Sequence, residues 1–220
     1  MTTAIIIDTE TTDKEGDLEV IEMACCDYGN PKDSFRQLYR PERGIKYGAL
    51  SVHHILPSDL VGCLPSSSAQ TDVPLVDYWI GHNIDFDWKA LGSPPVKRIC
   101  TLALARRLWP ELDSHTLVAC MYFTQGVNDQ TRKIVKGAHS ALDDVYMCNQ
   151  VLTAIINSLG TTNLHNLWEK SEDARIPWTM TFGKHKGKTI AEVDRGYSKW
   201  YRKQSDADQY LLEAFKRAGI

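Results

Sequence analysis

The chain opens with a short run of apolar, mostly β-branched residues at positions 4–7, which leads directly into two carboxylates, Asp8 and Glu10. A run of this composition predicts a buried strand. Because side chains alternate along a strand with a period of two, both carboxylates should point to the same face at its end. The first strand is therefore expected to bring two negative charges to one edge of the core.

Three further segments predict strands. Residues 20–26 and 35–39 have strand-like apolar patterns, and the Gly and Pro residues between them indicate a turn, so an antiparallel meander is expected. Residues 75–80 predict another buried strand, which ends at Gly81. Residues 61–74 are rich in Ser and Pro and indicate a surface loop.

Helical patterns dominate the rest of the main body. Residues 86–91 predict a short helix, and residues 101–109 predict a helix that Pro110 stops. Apolar residues then recur at helical spacing over residues 141–159, which predicts a long amphipathic helix with Ser140 at its N-cap. Strands that come first and helices that come later indicate an α/β fold, a mixed β-sheet flanked by helices.

The length of 220 residues and the 43% share of hydrophobic residues allow one complete core and a small additional module. We expect a main domain over residues 1–160, a linker over 161–177 and a small module over 178–220. No apolar stretch approaches the roughly 18 residues of a membrane span, and the six cysteines are scattered without a CxxC pair. These features predict a cytoplasmic protein with reduced thiols and no membrane partner.

The formal charge of -3 conceals a basic C-terminal part, because residues 175–220 contain ten Lys or Arg against five Asp or Glu. A basic module on an acidic body is typical of a protein whose tail faces a polyanion. A solvated, charged helix at the C-terminus explains the same balance. The charge pattern alone leaves both interpretations open.

Two more acidic residues follow predicted elements in the same way as the first pair. Asp87 comes just after a predicted buried strand, and Asp144 lies in the first turns of the long helix. Carboxylates that gather within a few ångströms repel one another, and divalent cations remove that conflict. Ligand sets made only of oxygen favour Mg²⁺ or Mn²⁺ over zinc. Taken singly, each acid also has an ordinary interpretation as a loop residue or as a dipole-favoured residue of a first helical turn.

The order and context of these residues resemble the DEDD superfamily of 3′ to 5′ exonucleases, in its histidine-containing, DnaQ-like branch. The resemblance covers about residues 5–155 and rests on three motifs: Asp8-Thr9-Glu10-Thr11-Thr12, His82-Asn83-x-x-Phe86-Asp87 and His139-x-Ala141-x-x-Asp144. Residues 105–110, ARRLWP, and residues 181–188, TFGKHKGK, also resemble segments of one exodeoxyribonuclease of this family.

The resemblance implies an RNase H-like fold and a metal-dependent exonuclease that releases 5′-mononucleotides, with a role in DNA repair. Its catalytic residues would be Asp8, Glu10, Asp87, Asp144 and His139. The four carboxylates would bind two Mg²⁺ ions, for which Mn²⁺ may substitute, and His139 would act as the general base. The family spacing of five from the histidine to the last acid selects Asp144, since the neighbouring Asp143 is rotated by about 100° around the helix.

The substrate is less sharply defined than the reaction. By the same resemblance, the residues that would contact it are Thr9, Thr11, Thr12, His53, Asn83 and Phe86. DNA 3′ ends, single- or double-stranded, are the expected partner, and the alternatives are an RNase T-like enzyme acting on RNA 3′ ends and a noncatalytic nucleic-acid-binding protein. Asp13 stands where the family often has Gly, and His54-Ile55-Leu56 replaces the commoner Gly-Ile-Thr, so the sequence departs from the family around the nucleotide pocket.

The C-terminal module combines lysines with aromatic residues. Lys184, Lys186 and Lys188 occupy alternate positions. Aromatic residues lie on both sides of this segment: one precedes it, Trp178, and three follow it, Tyr197, Trp200 and Tyr201. Exposed rings in such a setting could stack on bases, each worth about 1–3 kcal/mol. A module of this size also needs aromatic residues for its own core. We therefore expect a nucleic-acid-binding module, with core packing as the competing explanation for the aromatics.

Overall fold

The computed structural model describes residues 3–220. The chain divides into two compact units, Met1–Ser171 and Glu172–Ile220. Among the described residues, no helix is both long enough and apolar enough to cross a membrane.

The first unit is built on a mixed sheet of six strands. They are β1 (Ala4–Thr11), β2 (Val20–Asp27), β3 (Ser34–Arg40), β4 (Leu64–Pro65), β5 (Tyr78–Gly81) and β6 (Lys97–Cys100), in the spatial order β4-β3-β2-β1-β5-β6. β1, β2 and β3 form the predicted antiparallel meander, whereas β5 and β6 run parallel to β1. The predicted mixed sheet is confirmed, and β1 lies near its centre.

The helices of the first unit lie mostly after the meander. They are α1 (Tyr47–His53), α2 (Ala69–Asp72), α3 (Asp85–Ala90), α4 (Thr101–Leu108), α5 (Leu117–Gln125), α6 (Asp129–Val135), α7 (Ala141–Leu159) and α8 (Leu164–Arg175), whose last turn enters the second unit. α7 is the long helix that the sequence predicts, and it packs across β1 and β2. Its buried side chains include Val145, Cys148, Leu152 and Ile155, as the helical spacing requires.

Two predicted segments differ from the structure. β5 begins at Tyr78 rather than at residue 75, because Leu75 is fully exposed and parallel pairing starts where Ala4 of β1 meets Tyr78. Residues 61–74 are not a plain surface loop, since they contain β4, a 3-10 turn and α2, and Ala69 is fully buried. Composition suggested a loop, but the segment is anchored by the buried Ala69 and by hydrogen bonds from Ser66 to Val20 and from Tyr39 to Asp72.

The second unit has its own hydrophobic core and two further helices, α9 (Arg195–Tyr201) and α10 (Gln209–Arg217). An isolated bridge pairs Thr179 with Thr189 and closes the base of the lysine-rich segment. α8 occupies most of residues 161–177, the range predicted as a linker, and the division between the units falls inside this helix. The residues predicted as a linker are therefore largely helical.

Candidate active site

β1 presents Asp8 and Glu10 at the edge of the core. Thr9 between them is buried, while the two carboxylates are half-buried, as expected when alternate residues of a strand share a face. In the register of the sheet, Asp8 lies opposite Ala24 of β2 and Glu10 lies opposite Glu22. A register shift between Glu10 and Thr11 ends the regular pairing immediately after the second carboxylate.

Asp87 is fixed to the first motif by hydrogen bonds. It lies in the first turn of α3 and is only 3% exposed. Its Oδ1 accepts two hydrogen bonds from Thr9, one from the backbone N–H and one from the hydroxyl group, each at 2.8 Å. The Thr9 hydroxyl group thus orients a carboxylate of the site, and its contact with the nucleotide stays a prediction.

Asp144 and His139 meet at the start of α7. Oδ1 of Asp144 accepts a hydrogen bond from the backbone N–H of His139 at 3.3 Å. Potential ligand atoms of Glu10, His139 and Asp144 all lie within 4.8 Å of one another, which is close enough to share a metal ion. Asp143 is exposed on a different side of the helix, so the two neighbouring acids face different surroundings.

The electrostatics of the cluster reflect burial and mutual repulsion. Burial, followed by repulsion from Asp144, raises the pKa of Glu10 to about 8. Burial likewise raises the pKa of Asp87 to about 7, even though the hydrogen bonds from Thr9 lower it, and raises the pKa of Asp144 to about 6. The pKa of Asp8 is raised well above its ordinary value by burial and then by Asp87, Asp144 and Glu10. The protein alone thus does not neutralise these carboxylates.

Divalent cations fit this donor set. Burial and then mutual repulsion raise the pKa values of these carboxylates, and bound cations would favour their charged forms. The carboxylate oxygens are hard ligands of the type that Mg²⁺, Mn²⁺ and Ca²⁺ prefer. The site therefore has both the ligand chemistry and the charge for divalent metal ions.

His139 is well placed to exchange protons with solvent. It is exposed and adopts a left-handed backbone conformation, with φ of 71°, directly before the N-cap of α7. Partial burial, then the nearby His54 and Lys14, lower its pKa from the ordinary value. A lowered pKa keeps the imidazole neutral at physiological pH, which is the form that accepts a proton.

Glu22 is a component of the site that sequence reasoning missed. Its side chain is fully buried in β2, where it forms an ion pair with Arg36 and accepts a hydrogen bond from the backbone N–H of Ala141 at 3.0 Å. Ser140 is the N-cap residue of α7, as predicted, but its side chain makes no capping bond. Glu22 takes over part of this role. Its carboxylate accepts a hydrogen bond from a first-turn N–H, and its negative charge interacts favourably with the positive end of the helix dipole.

A signal for Glu22 is present in the sequence. It is the one charged residue inside residues 20–26, an otherwise apolar strand. Charged side chains are rarely fully buried unless they are paired, so such a residue predicts a specific partner. The partners, Arg36 on β3 and Ala141 on α7, become visible only in three dimensions.

The other two threonines of the first motif also bond within the protein. The hydroxyl group of Thr11 donates to the carbonyl of Asp13 at 2.6 Å, and that of Thr12 accepts from the backbone N–H of Glu19 at 3.2 Å. Both side chains are buried. Their visible role is to shape the turn that follows β1, and a contact between their hydroxyls and the nucleotide remains a prediction.

The histidine pair at the end of α1 explains one departure from the family pattern. His53 is buried, and its Nδ1 accepts a hydrogen bond from the backbone N–H of Ile55 at 2.9 Å. His54 caps α1 in a left-handed conformation, with φ of 57°. Glycine adopts this conformation without strain, which accounts for the commoner Gly at this position.

Asn83 lies on the turn between β5 and α3, and Phe86 lies in the first turn of α3. Asn83 is exposed with φ of 73°, a conformation that Asn tolerates better than most residues, and its carbonyl accepts from the N–H of Phe86 at 2.9 Å. Together with Lys14 and Lys89, both residues line a cavity of about 900 Å³, whose lining includes none of the four clustered carboxylates and carries five other acids, Glu15, Asp17, Glu19, Glu42 and Asp85. This cavity is large enough for a nucleotide-sized group.

His82, which precedes Asn83, has a structural role. Its Nδ1 lies 3.0 Å from the hydroxyl group of Thr101, and its Nε2 lies 2.8 Å from the carbonyl oxygen of His115. Burial lowers its pKa to about 4, so the ring is neutral. It ties the end of β5 to the start of α4 and to the segment before α5.

Comparison with known proteins identifies relatives over most of the chain. A scan against models of protein families finds no match. Exodeoxyribonuclease 10 of Escherichia coli (strain K12) is 30% identical over 210 residues, which cover 89% of this chain and 88% of that protein. A structure of exonuclease X in complex with 5′ overhanging duplex DNA has a TM-score of 0.63 at 30% identity, with 78% of this chain and 98% of that chain covered.

A more distant structure shares the fold. A 3′-exonuclease described for 3′-end specific recognition of a histone mRNA stem-loop has a TM-score of 0.53 at 15% identity, and the match covers 70% of this chain and 81% of that chain. The similarity to exodeoxyribonuclease 10 extends over nearly the whole of both chains, and it agrees with the motifs that β1, α3 and α7 carry. The chain belongs to the exodeoxyribonuclease 10, or exonuclease X, family of DnaQ-like exonucleases.

Proposed function

We propose that this chain is a metal-dependent 3′ to 5′ exonuclease that removes 5′-mononucleotides from DNA ends. The observation that carries the proposal is the convergence of Asp8, Glu10, Asp87 and Asp144 with His139 at one edge of the sheet. This convergence occurs in a chain that is similar to exonuclease X over most of its length.

The four carboxylates would hold two Mg²⁺ ions, for which Mn²⁺ may substitute. When bound, such ions activate water and stabilise the negative charge that develops on the phosphate and on the leaving 3′ oxygen. The raised pKa values of Glu10 and Asp87 support this assignment, because burial and then repulsion from Asp144 disfavour their charged forms, and cations would offset both effects. Thr9 would hold Asp87 in its ligating orientation through the two hydrogen bonds described above.

His139 would accept the proton of the attacking water. The closeness of an imidazole nitrogen to ligand atoms of Glu10 and Asp144, within 4.8 Å, supports this role. The exposure of His139 allows the proton to pass on to solvent after hydrolysis. A neutral imidazole near working pH contributes about 10²- to 10⁴-fold to such a step.

DNA is the favoured substrate because the most similar relatives are named as exodeoxyribonucleases, and one is described with a 5′ overhanging duplex. Single- and double-stranded 3′ ends are both included in the proposal. The terminal nucleotide would enter beside Asn83 and Phe86, which line the cavity next to α3. The histone mRNA 3′-exonuclease shares the fold, so the fold by itself does not select DNA over RNA.

The test is digestion of matched DNA and RNA strands, each labelled at the 3′ or the 5′ end, with Mg²⁺ and with EDTA. We expect immediate release of labelled 5′-mononucleotide from 3′-labelled DNA, and a ladder of shortening products from 5′-labelled DNA. A faster reaction on RNA would favour the RNase T-like alternative.

The same digestion separates the remaining alternatives. Release from the 5′ end would contradict the proposed polarity. Binding without any hydrolysis, in the presence of Mg²⁺ or Mn²⁺, would support a noncatalytic nucleic-acid-binding protein instead. Activity that persists unchanged in EDTA would contradict the metal assignment.

A further inference from the structure

The second unit exposes aromatic side chains that its own core does not use. The core is formed by the buried residues Ile176, Met180, Ile190, Val193, Tyr201, Leu211, Ala214 and Phe215. Phe182 and Trp200 lie outside it, with 44% and 54% of their surface exposed. Core packing therefore accounts for Tyr201 but not for these two rings, and large exposed apolar groups of this kind mark interaction sites.

The two exposed rings belong to one cluster with Tyr197, which is partly buried against the core of the unit. The ring centroids of Tyr197 and Trp200 are 5.3 Å apart, and those of Phe182 and the buried Tyr201 are 6.0 Å apart. Trp200 also lies 6.4 Å from Tyr201, so Phe182 and Trp200 flank the same buried ring. We call Phe182, Tyr197 and Trp200 the aromatic face.

The backbone holds this face in place before any ligand arrives. Gly183 follows Phe182 with φ of 67°, and a Cβ at this position would lie 3.1 Å from the hydroxyl oxygen of Tyr197. A side chain at this point would be strained by the left-handed backbone and would crowd the Tyr197 hydroxyl group. At the base of this loop, Met180 donates to Lys188 and Gly187 donates to Met180, each at 2.8 Å. A preorganised surface loses little conformational entropy when it binds.

Positive charge surrounds the aromatic face. Lys184 Nζ lies 5.5 Å from the Tyr197 ring centroid and 3.4 Å from a carboxylate oxygen of Asp194. Asp194 is the acidic residue at this edge, and it also pairs with His185 and accepts the N–H of Tyr197. Lys199 on α9 and Lys203, two residues after its end, are exposed and lie close to Trp200 in the sequence. The surface is therefore complementary to a polyanion with flat, apolar groups.

We propose that the aromatic face is a binding site for single-stranded nucleic acid. Unpaired bases stack on Trp200 and Phe182, and the phosphates contact the neighbouring lysines. Aromatic rings bordered by lysines are a general solution for single strands, since each base has an apolar face and each phosphate a negative charge. In a duplex the bases already stack on one another, so this surface selects unpaired strands. Only the choice of DNA as the natural ligand rests on the proposed function.

The test measures binding by the full chain without hydrolysis. The parent protein carries Asp144→Asn and is kept in EDTA, and fluorescence anisotropy reports the Kd of an oligothymidylate of about 20 nucleotides, longer than most single-strand sites. We expect Trp200→Ala to raise this Kd about fivefold or more, as the loss of one stacked base implies. Trp200→Phe should restore most of the affinity because it keeps a ring.

Two other probes separate stacking from charge. A strand of abasic sites with the same number of phosphates should bind Trp200→Ala and its parent equally, and so should a blunt duplex. Lys199→Ala should lower the salt dependence of single-strand binding by about 0.7 in slope. Lys216→Ala is the matched control, since Lys216 is exposed on α10 and bonds to Glu213.

Several outcomes would overturn the proposal. Unchanged affinity for the intact strand in both Trp200→Ala and Phe182→Ala would do so. Phe182→Ala changes the loop and not α9, so it remains a test if Trp200→Ala does not fold. An equal loss of affinity for abasic strands would do so as well, because it would show a general effect on folding and not a loss of stacking. A lower mass of Trp200→Ala in sedimentation, with DNA binding intact, would assign the surface to self-association. None of these results depends on exonuclease activity, so failure of the proposed function is distinguishable.

Discussion

The backbone N–H and the hydroxyl group of Thr9 both donate to the same oxygen of Asp87, each at 2.8 Å. This double hydrogen bond joins the first motif, on β1, to the second motif, on α3. Both bonds lower the pKa of Asp87 and so oppose the effect of its burial. A residue that family resemblance assigned to the substrate thus has a direct role in positioning a carboxylate.

Replacing Thr9 with Val should weaken the metal site while preserving the fold. Valine matches the shape of threonine and keeps the backbone bond, but Asp87 loses one donor, and its pKa rises further. A bond to a charged group contributes about 1.5–3 kcal/mol, so we expect about tenfold or greater loss in kcat/KM. The concentration of Mg²⁺ needed for half-maximal rate should increase. Thr9→Ser, which retains the hydroxyl group, is the control, and equal rates for the two variants would contradict this role.

Removing the Glu22 side chain should destabilise the start of α7. Glu22→Ala leaves the N–H of Ala141 without its acceptor and Arg36 without its ion-pair partner. An orphaned buried group costs about 1–3 kcal/mol, which corresponds to a fall in Tm of roughly 2–12 °C for a chain of this size. Glu22→Gln keeps an acceptor oxygen and should recover much of the loss. A thermal scan in which Glu22→Ala has the same Tm as the wild type would contradict this prediction.

The metal-free protein should lose stability as the pH rises. Burial raises the pKa of Glu10 to about 8, above its value in the unfolded chain, so the folded state prefers the protonated form. The stability that this preference contributes is complete below about pH 4 and is lost as the pH rises through about 8. In EDTA, Glu10→Gln should therefore unfold at a higher temperature than the wild type at pH 8.5, and the difference should shrink towards pH 5.

Two controls make this comparison specific. Glu15→Gln removes a carboxylate from an exposed loop and should leave the pH dependence unchanged. Mg²⁺ or Mn²⁺ should flatten the dependence in the wild type, because cations favour the charged carboxylates. If the wild type and Glu10→Gln had parallel profiles in EDTA, the carboxylate would not be perturbed as described.

His139→Asn should separate proton transfer from metal binding. Asparagine tolerates the left-handed backbone at this position, so the fold is retained, whereas His139→Ala adds strain. We expect the rate to fall by about 10²- to 10⁴-fold, with Mn²⁺ affinity unchanged. The pKa of His139 is lowered, so the wild-type rate should fall only when acid protonates the ring, and this acid limb should change in the variant. Parallel loss of Mn²⁺ binding would make His139 a metal ligand instead of a base.

The fold and the main acids could be predicted because simple periodicities govern them. The period of two along β1 predicted a shared face for Asp8 and Glu10, and the spacing of α7 predicted its buried side. Glu22 could not be placed in the same way, because a single charge in an apolar strand indicates a partner without naming it. Its partners come from β3 and α7, far away in sequence.

The aromatic residues of the second unit show a second limit of sequence reasoning. Tyr201 and Trp200 are neighbours in the sequence, yet Tyr201 belongs to the core and Trp200 is exposed. Their separation depends on the orientation of α9, a short helix whose amphipathic pattern is too brief to fix which side is buried. Composition could identify a basic, aromatic module but not its exposed face.

The most direct measurement of the central claim compares Asp144→Asn with Asp143→Asn in Mg²⁺-dependent release of mononucleotides from 3′-labelled DNA. The two changes are chemically identical and adjacent, but only Asp144 faces the carboxylate cluster, while Asp143 is exposed beside Gly137. We predict that Asp144→Asn loses more than the roughly 10- to 100-fold that removal of an outer partner costs. Asp143→Asn should stay close to the wild-type rate. Equal activity of the two variants, or selective loss in Asp143→Asn, would contradict the proposed site.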